Sequence, residues 1–512
     1  MHLAIIAAKG NVRPRALRQP LQSATRFALA AAALAAVLVP VAGCGNTYRP
    51  VVTAINPVGP ASQPQKYAVA VASSPNSGTP GLMTLVDFSG DTILVTPEVG
   101  VAPYYLQLDS AGFTGYTFNG DGTLTSFDVS TTLQTQNVVQ TTLLPGASPV
   151  SLFAQGGSIY IAQPGRSSVG QLKGFPPSLQ QELPVAPNPN YVVGVAAAPR
   201  VYAISQGTPP GIGSIAAIET TSNTISTTLP VGRGPVYGVM TGDGKRAFIL
   251  NNTDGTVTVV NAQTNQLDGT FTGTTTAGSP IITAVSTPGL TAGLSVSGSG
   301  IPTGTTILSA TGSTVTLSAS ATANGIGTVF STPSTTIPVG TAPIWADLAP
   351  TRSELVVANA GNGTSVGTLS IINIPLCSSA ALPTNPNCDP TNPIDAVGFG
   401  QVVANVPVGL SPIMVAVLQD GTKAYVANHA DSTVSVVNLT TNTVTATIPV
   451  VGRPIYIAAT TGTPTGKVYV VSADTVAPNK NSVMTVIRTD IDIVSTTINL
   501  QGTGVSVRVT QP

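Results

Sequence analysis

One unit is written more than once along this chain. Residues 403–450 run through a VG-x-x-P turn, an apolar stretch, an Asp-Gly turn, the segment KAYVAN, a polar turn, STVSVVN, a T-x-N turn and a last alternating stretch. Residues 229–271 repeat that order, with RAFILN standing for KAYVAN and GTVTVVN for STVSVVN. Repetition at a period of roughly forty-five residues excludes an ordinary globular plan, because each unit must bury its apolar faces against its neighbours. Each unit holds four short β-branched or alternating runs separated by Gly, Asp, Asn and Pro, the pattern of an antiparallel four-stranded sheet. Asp243-Gly244 and Asp420-Gly421 suit hairpin turns that need positive φ.

The second run of the unit recurs at YAVAVA (67), GYTFN (115), IYIAQ (159), VYAIS (201), AFILN (247), LVVAN (355), AYVAN (424) and VYVVS (468). That predicts eight units; the first three are degenerate, and seven is the alternative count. Four-stranded units arranged around an axis leave few exposed edges, so the expected fold is an all-β propeller occupying 66–273 and 334–512. The chain opens with three strands of a unit, at 67–96. It closes with a lone strand, GVSVRVT at 504–510, able to complete the first unit and lock the ring.

Two of the spacings are long. One is filled by an insertion at 274–333, rich in Gly, Ser and Thr, with β-alternation in TTILSA and STVTLSA. It lies within a charge-free stretch from Gly269 to Ala346 and reads as a small β-module on a blade edge. The other contains Cys377 and Cys388 around a Pro/Asn loop; in an exported chain these two read as a disulfide.

Export is expected from the amino terminus. Residues 1–26 carry Lys9, Arg13, Arg15, Arg18 and Arg26 with no acid, and Phe27–Ala42 is an apolar, Ala-rich run too short for an ordinary membrane span. Residues 1–43 thus read as a signal peptide. Val41-Ala42-Gly43-Cys44 resembles a bacterial lipobox, which implies acylation of Cys44 and a stable membrane anchor. Residues 44–65 then read as a Pro-rich, lipidated tether, and the resemblance places the body at the outer membrane, on its periplasmic or surface face.

The repeat as a whole, most clearly AYVANHADSTVSVVNLTTNTVTATIPV with 231–267 and 336–373, resembles the YVTN-type β-propeller repeat family. Propellers related to that family include lactone hydrolases and metal or quinone oxidoreductases, so the resemblance keeps an enzyme as the alternative.

The residues themselves argue against most chemistry. Charged side chains make up 8% of the chain, and removal of the leader leaves fifteen bases against twenty acids, a net of −5. With no basic cluster, nucleic acid is not an expected partner. His429 is the only histidine after the leader, which excludes multi-histidine metal sites and leaves it as the sole base for a Ser-His-Asp arrangement. In YVANHADST it reads as a solvated turn residue. No nucleophile elbow, H-E-x-x-H, phosphate loop or complete calcium loop occurs. Gly298-Ser299-Gly300 and Asn119-Gly120-Asp121-Gly122 read as turns. No catalytic residue, metal or cofactor is assigned.

One pattern points to a ligand. Two residues after the repeat's Pro stand Tyr105, Tyr191, Tyr237, Trp345 and Tyr456, while Ser151 and Met414 fill the equivalent places after Pro149 and Pro412. Five of 24 aromatic residues at one repeat position is an enrichment. On a propeller that strand lies nearest the axis, where an aromatic collar could stack on sugar, aromatic or peptide groups; packing between blades is the competing explanation. The expected function is a non-enzymatic binding scaffold of the envelope, with a protein, peptide or polysaccharide partner. A lactonase-like hydrolase and a surface adhesin are the alternatives.

Overall fold

The second strands are apolar on both faces: Ala247–Leu250, Leu355–Ala358 and Ala424–Ala427 are all fully buried. A strand can be apolar on both faces only when both are covered, so each sheet must be sandwiched between two others. The fourth strands behave differently. Thr224–Pro230 (TISTTLP) alternates exposed and half-buried residues, as an outermost strand with one wet face should.

The computed structural model meets both demands with eight antiparallel blades, six four-stranded and two, the first and the fifth, with the outer strand split in two. It describes residues 66–510 apart from 130–136, 264, 268–269, 286–295, 312, 332–335, 376–398, 461–465 and 477–479. The expected signal peptide (1–43) and tether (44–65), with Cys44, Cys377 and Cys388, lie outside the described residues. The innermost strands of the second to eighth blades are Pro103–Leu108, Ser151–Gln155, Pro189–Val193, Pro235–Met240, Pro343–Ala349, Pro412–Val417 and Pro454–Thr460. The innermost strand of the first blade is the last of the chain, Thr503–Val509, paired antiparallel to Tyr67–Ser73. It packs on the inner strands of both the eighth and the second blades, so the ring closes through the carboxyl-terminal strand.

The repeat's motif residues have identifiable jobs. Asn428, the last residue of KAYVAN, donates Nδ2–H to Thr433 Oγ1 (3.1 Å) and Ser435 Oγ (2.9 Å) of the next strand, and its Oδ1 accepts the Gly409 N–H at 3.1 Å. Gly409 is required here: a Cβ would sit 2.5 Å from Asn428 Cγ. Asn251 bonds Thr256 and Thr258 in the same way, over Gly232. Asn428 thus ties two strands of its own blade to the end of the preceding blade's outer strand, Val402–Leu410, while fully buried.

A different set of contacts joins neighbouring blades. A tyrosine at the centre of the second strand reaches a left-handed Asn or Asp in the outer hairpin of the following blade: Tyr160 to Asn223 (2.6 Å), Tyr202 to Asn265 (3.1 Å) and Tyr425 to Asp492 (2.6 Å). Lysines reinforce two seams. Lys423 pairs with Asp492 at 2.7 Å, and Lys467 pairs with Asp91 at 2.8 Å while also donating to the Phe88 carbonyl.

The insertion splits the outer strand of the fifth blade: Gln266–Leu267 and Thr336–Pro338 both pair with Thr256–Asn261. Its own pairing begins at Thr270, a little ahead of the expected start at 274, and runs to Ser331. Two three-stranded sheets enclose Phe271, Ile282, Val296, Ile307, Val315, Leu317 and Phe330.

Candidate functional site at the ring axis

Side chains on non-adjacent blades can meet only at the axis, and Trp345 and Tyr456 do. Tyr191 on the fourth blade lies 4.6 Å, centroid to centroid, from Tyr237 on the fifth. Tyr237 stacks on Trp345 of the sixth at 4.0 Å and 26°. Trp345 meets Tyr456 edge-on at 6.0 Å, although Tyr456 belongs to the eighth blade and the seventh lies between them. That intervening blade offers Met414, which packs in the same cluster. Beyond Tyr456 comes Arg508 of the closing strand, its guanidinium 4.2 Å from the Tyr456 ring centroid. Arg508 Nε donates to Gln107 Oε1 of the second blade at 2.9 Å, and the Tyr105 hydroxyl lies within its hydrogen-bonding reach.

Four of the five aromatic positions read from the sequence therefore form one continuous arc. Tyr105 takes a different place. It stacks on Phe118 of its own blade at 4.9 Å and exchanges hydrogen bonds with the Leu152 backbone of the third. It meets the arc at Arg508 and lies close enough to Tyr191 for the two hydroxyls to interact electrostatically.

Burial pushes the Tyr191 and Tyr237 hydroxyls well above their ordinary range, so both are neutral hydrogen-bonding groups at any physiological pH. All five aromatics, with Asp347 and Arg508, nevertheless keep part of their surface open to solvent. Deep enclosure with residual exposure is what residues lining an axial bore should show.

Asp347 and Arg508 were not singled out in the sequence. Asp347 follows Trp345 by two residues on the same inner strand, and its carboxylate accepts N–H groups from Leu348 and Val417, both at 2.8 Å. Among the described residues no cation pairs with it, and burial raises its pKa to about 6. Arg508 has no carboxylate partner among them, and burial lowers its pKa, though a guanidinium stays charged. The available signal was placement: period-two alternation puts Asp347 beside Trp345. Arg508 could be placed only by knowing that 503–509 forms an inner strand.

His429 is half-buried and has a structural partner. Its Nδ1–H donates to the Pro454 carbonyl of the next blade at 2.9 Å. Asn190, Asn252 and Tyr104 make the corresponding bonds to Pro235, Pro343 and Pro149. His429 thus bridges blades at the turn where a solvated side chain was expected. Asp121, in the second candidate turn, accepts N–H groups from Val101 and Thr123. Among the described residues, no three His, Cys, Asp or Glu side chains come together as a metal site would need.

These features define the chain as an eight-bladed β-propeller with an aromatic axial collar. No protein-family model matches it, and no curated protein matches it significantly. Among solved structures it is similar to dihydro-heme d1 dehydrogenase NirN, with a TM-score of 0.54 and 10% identity over 88% of this chain and 76% of that one. A putative 6-phosphogluconolactonase from Bacteroides fragilis gives 0.46 and 13% over 88% and 99%. AztD from Citrobacter koseri gives 0.46 and 11% over 87% and 97%. At these identities the likeness is one of fold.

Proposed function

We propose that this chain is a lipid-anchored binding scaffold of the bacterial envelope whose ligand docks at the ring axis. The observation that carries the reading is the arc Tyr191–Tyr237–Trp345–Tyr456. These large rings are partly exposed at the place where several blades present side chains together, and such rings bind flat or ring-shaped groups by burying area at little entropic cost. Acylation of Cys44, followed by the polar tether of 44–65, would present the propeller at the membrane; the expected partner is an envelope protein, a peptide or a polysaccharide. Replacing Cys44 by Ser should release the protein from the membrane fraction.

Capture from detergent-solubilised envelope and from a glycan array tests the axial site, using the full-length protein beside Tyr237→Ala and Trp345→Ala. The reading predicts a partner retained by the parent and lost from folded variants. Variants that lose stability while retaining the partner would make the collar a packing device.

A hydrolase is the second reading, favoured by one feature. Asp347, with a pKa raised to about 6, lies in the range of a general base. Turnover of simple lactones that disappears in Asp347→Asn would support it.

A further inference from the structure

The axis holds one cation and one carboxylate, deeply enclosed but each with part of its surface open, that do not pair with each other. Arg508 and Asp347 stand on the first and sixth blades, with the seventh and eighth between them on one side of the ring. Among the described residues neither belongs to an ion pair. The enclosed lysines Lys423 and Lys467, by contrast, both meet carboxylates. An enclosed charge without a counter-ion is costly, and such costs persist where a ligand is to supply the partner.

The unused bonding capacity is specific. Arg508 has five N–H donors in a planar fork, of which Nε is taken by Gln107, with Tyr105 close by. A planar fork matches a carboxylate in two parallel hydrogen bonds. The Asp347 carboxylate offers about four acceptor positions, and two are taken by backbone N–H groups. Between the two charges runs the wall of Tyr237, Trp345 and Tyr456.

We propose that the bore binds a small dipolar ligand with a ring body. Its carboxylate pairs with Arg508, its ammonium or hydroxyl donor faces Asp347, and its ring packs on the aromatic wall. This deepens the axial-binding reading and rests on it. A zwitterionic amino acid or the free end of a peptide has this chemistry, whereas a neutral sugar lacks the charge for Arg508.

Trp345 is the only tryptophan, so its fluorescence reports on the collar directly. The test titrates the full-length protein in detergent with three probes sharing one ring: L-phenylalanine, 3-phenylpropanoate without the ammonium, and phenethylamine without the carboxylate. Phenylalanine should bind tightest, and phenethylamine should be weaker by about tenfold or more, the scale of a lost charge-assisted pair. In Arg508→Gln that gap should close, and Arg508→Lys should restore part of it. In Asp347→Asn only the gap between phenylalanine and phenylpropanoate should close. Thermal melts of each variant separate lost recognition from lost closure of the ring. Equal affinity for all three probes, or variants that leave their order unchanged, would overturn the dipolar site while axial binding stands. Absence of binding by every probe would also overturn it, and envelope capture would then judge the axial reading separately.

Discussion

The seams between blades and the axis of the ring solve opposite problems. At the seams, polar groups are enclosed and paired. Tyr160, Tyr202 and Tyr425 each find an Asn or Asp on the next blade, and Lys423 and Lys467 each find a carboxylate. At the axis, Asp347 and Arg508 are enclosed and left without counter-ions. The same physics makes the first arrangement hold blades together and the second a cost to the folded state. Two of the chain's few charges thus stand in its bore with no ion pair among the described residues. The tyrosine is not kept at every seam. The first, fifth and sixth blades have Ala70, Phe248 and Val356 at its position, and in the outer hairpin of the seventh blade, next to the sixth, the Asn442 Oδ1 is buried with no partner among the described residues.

The sharpest test applies one chemical change to both regions. Asp91→Asn strands the enclosed Lys467 at the seam that includes the closing blade, and urea titration should show a loss of about 3 kcal/mol or more. Asp347→Asn at the axis removes a buried charge while giving up one acceptor of a backbone N–H, and its net effect near neutral pH should stay within about 1 kcal/mol. Similar losses at both places would dissolve the distinction.

A dependence on pH follows from Asp347 alone. Its folded-state pKa is raised, so the folded protein binds the proton more tightly than the unfolded chain. Its contribution is therefore fully present at pH 3–4 and is lost as pH rises toward about 6. Unfolding free energies measured across that window should fall less steeply in Asp347→Asn than in the parent.

Tyr425→Phe is a gentler cut at a satisfied seam, since Asp492 keeps Lys423. A cost of about 1 kcal/mol is expected in denaturant titration, with an unchanged denaturant slope. The smallest effect belongs to the defective seam. Asn442→Gly removes the orphaned oxygen at a residue with φ of 55°, a conformation glycine adopts freely, and should raise stability by a few tenths of a kcal/mol, roughly. A decrease would mean that Asn442 is bonded in solution.

Much of the fold was legible because it is local. Apolar second runs such as AYVAN and AFILN, with Asp-Gly hairpins and alternating outer runs, specify strands and turns within one unit. Eight such runs appear as eight blades, and the lone carboxyl-terminal strand closes the first. The inserted module was visible as a break in composition, although its pairing begins at Thr270. The collar was half legible. Repeat position identified Tyr191, Tyr237, Trp345 and Tyr456, but could not show that Tyr105 turns instead to Phe118 and the Leu152 backbone.

What the amino-acid sequence determined by itself is whatever depends on neighbours along the chain: strand, turn and unit length. Only the tertiary structure decided what meets at the axis. Arg508 reaches Gln107 across 401 residues of chain, a contact made by closing the ring and by no local preference. Where many blades converge, each supplies one side chain, and the chemistry of the place belongs to the set they form together.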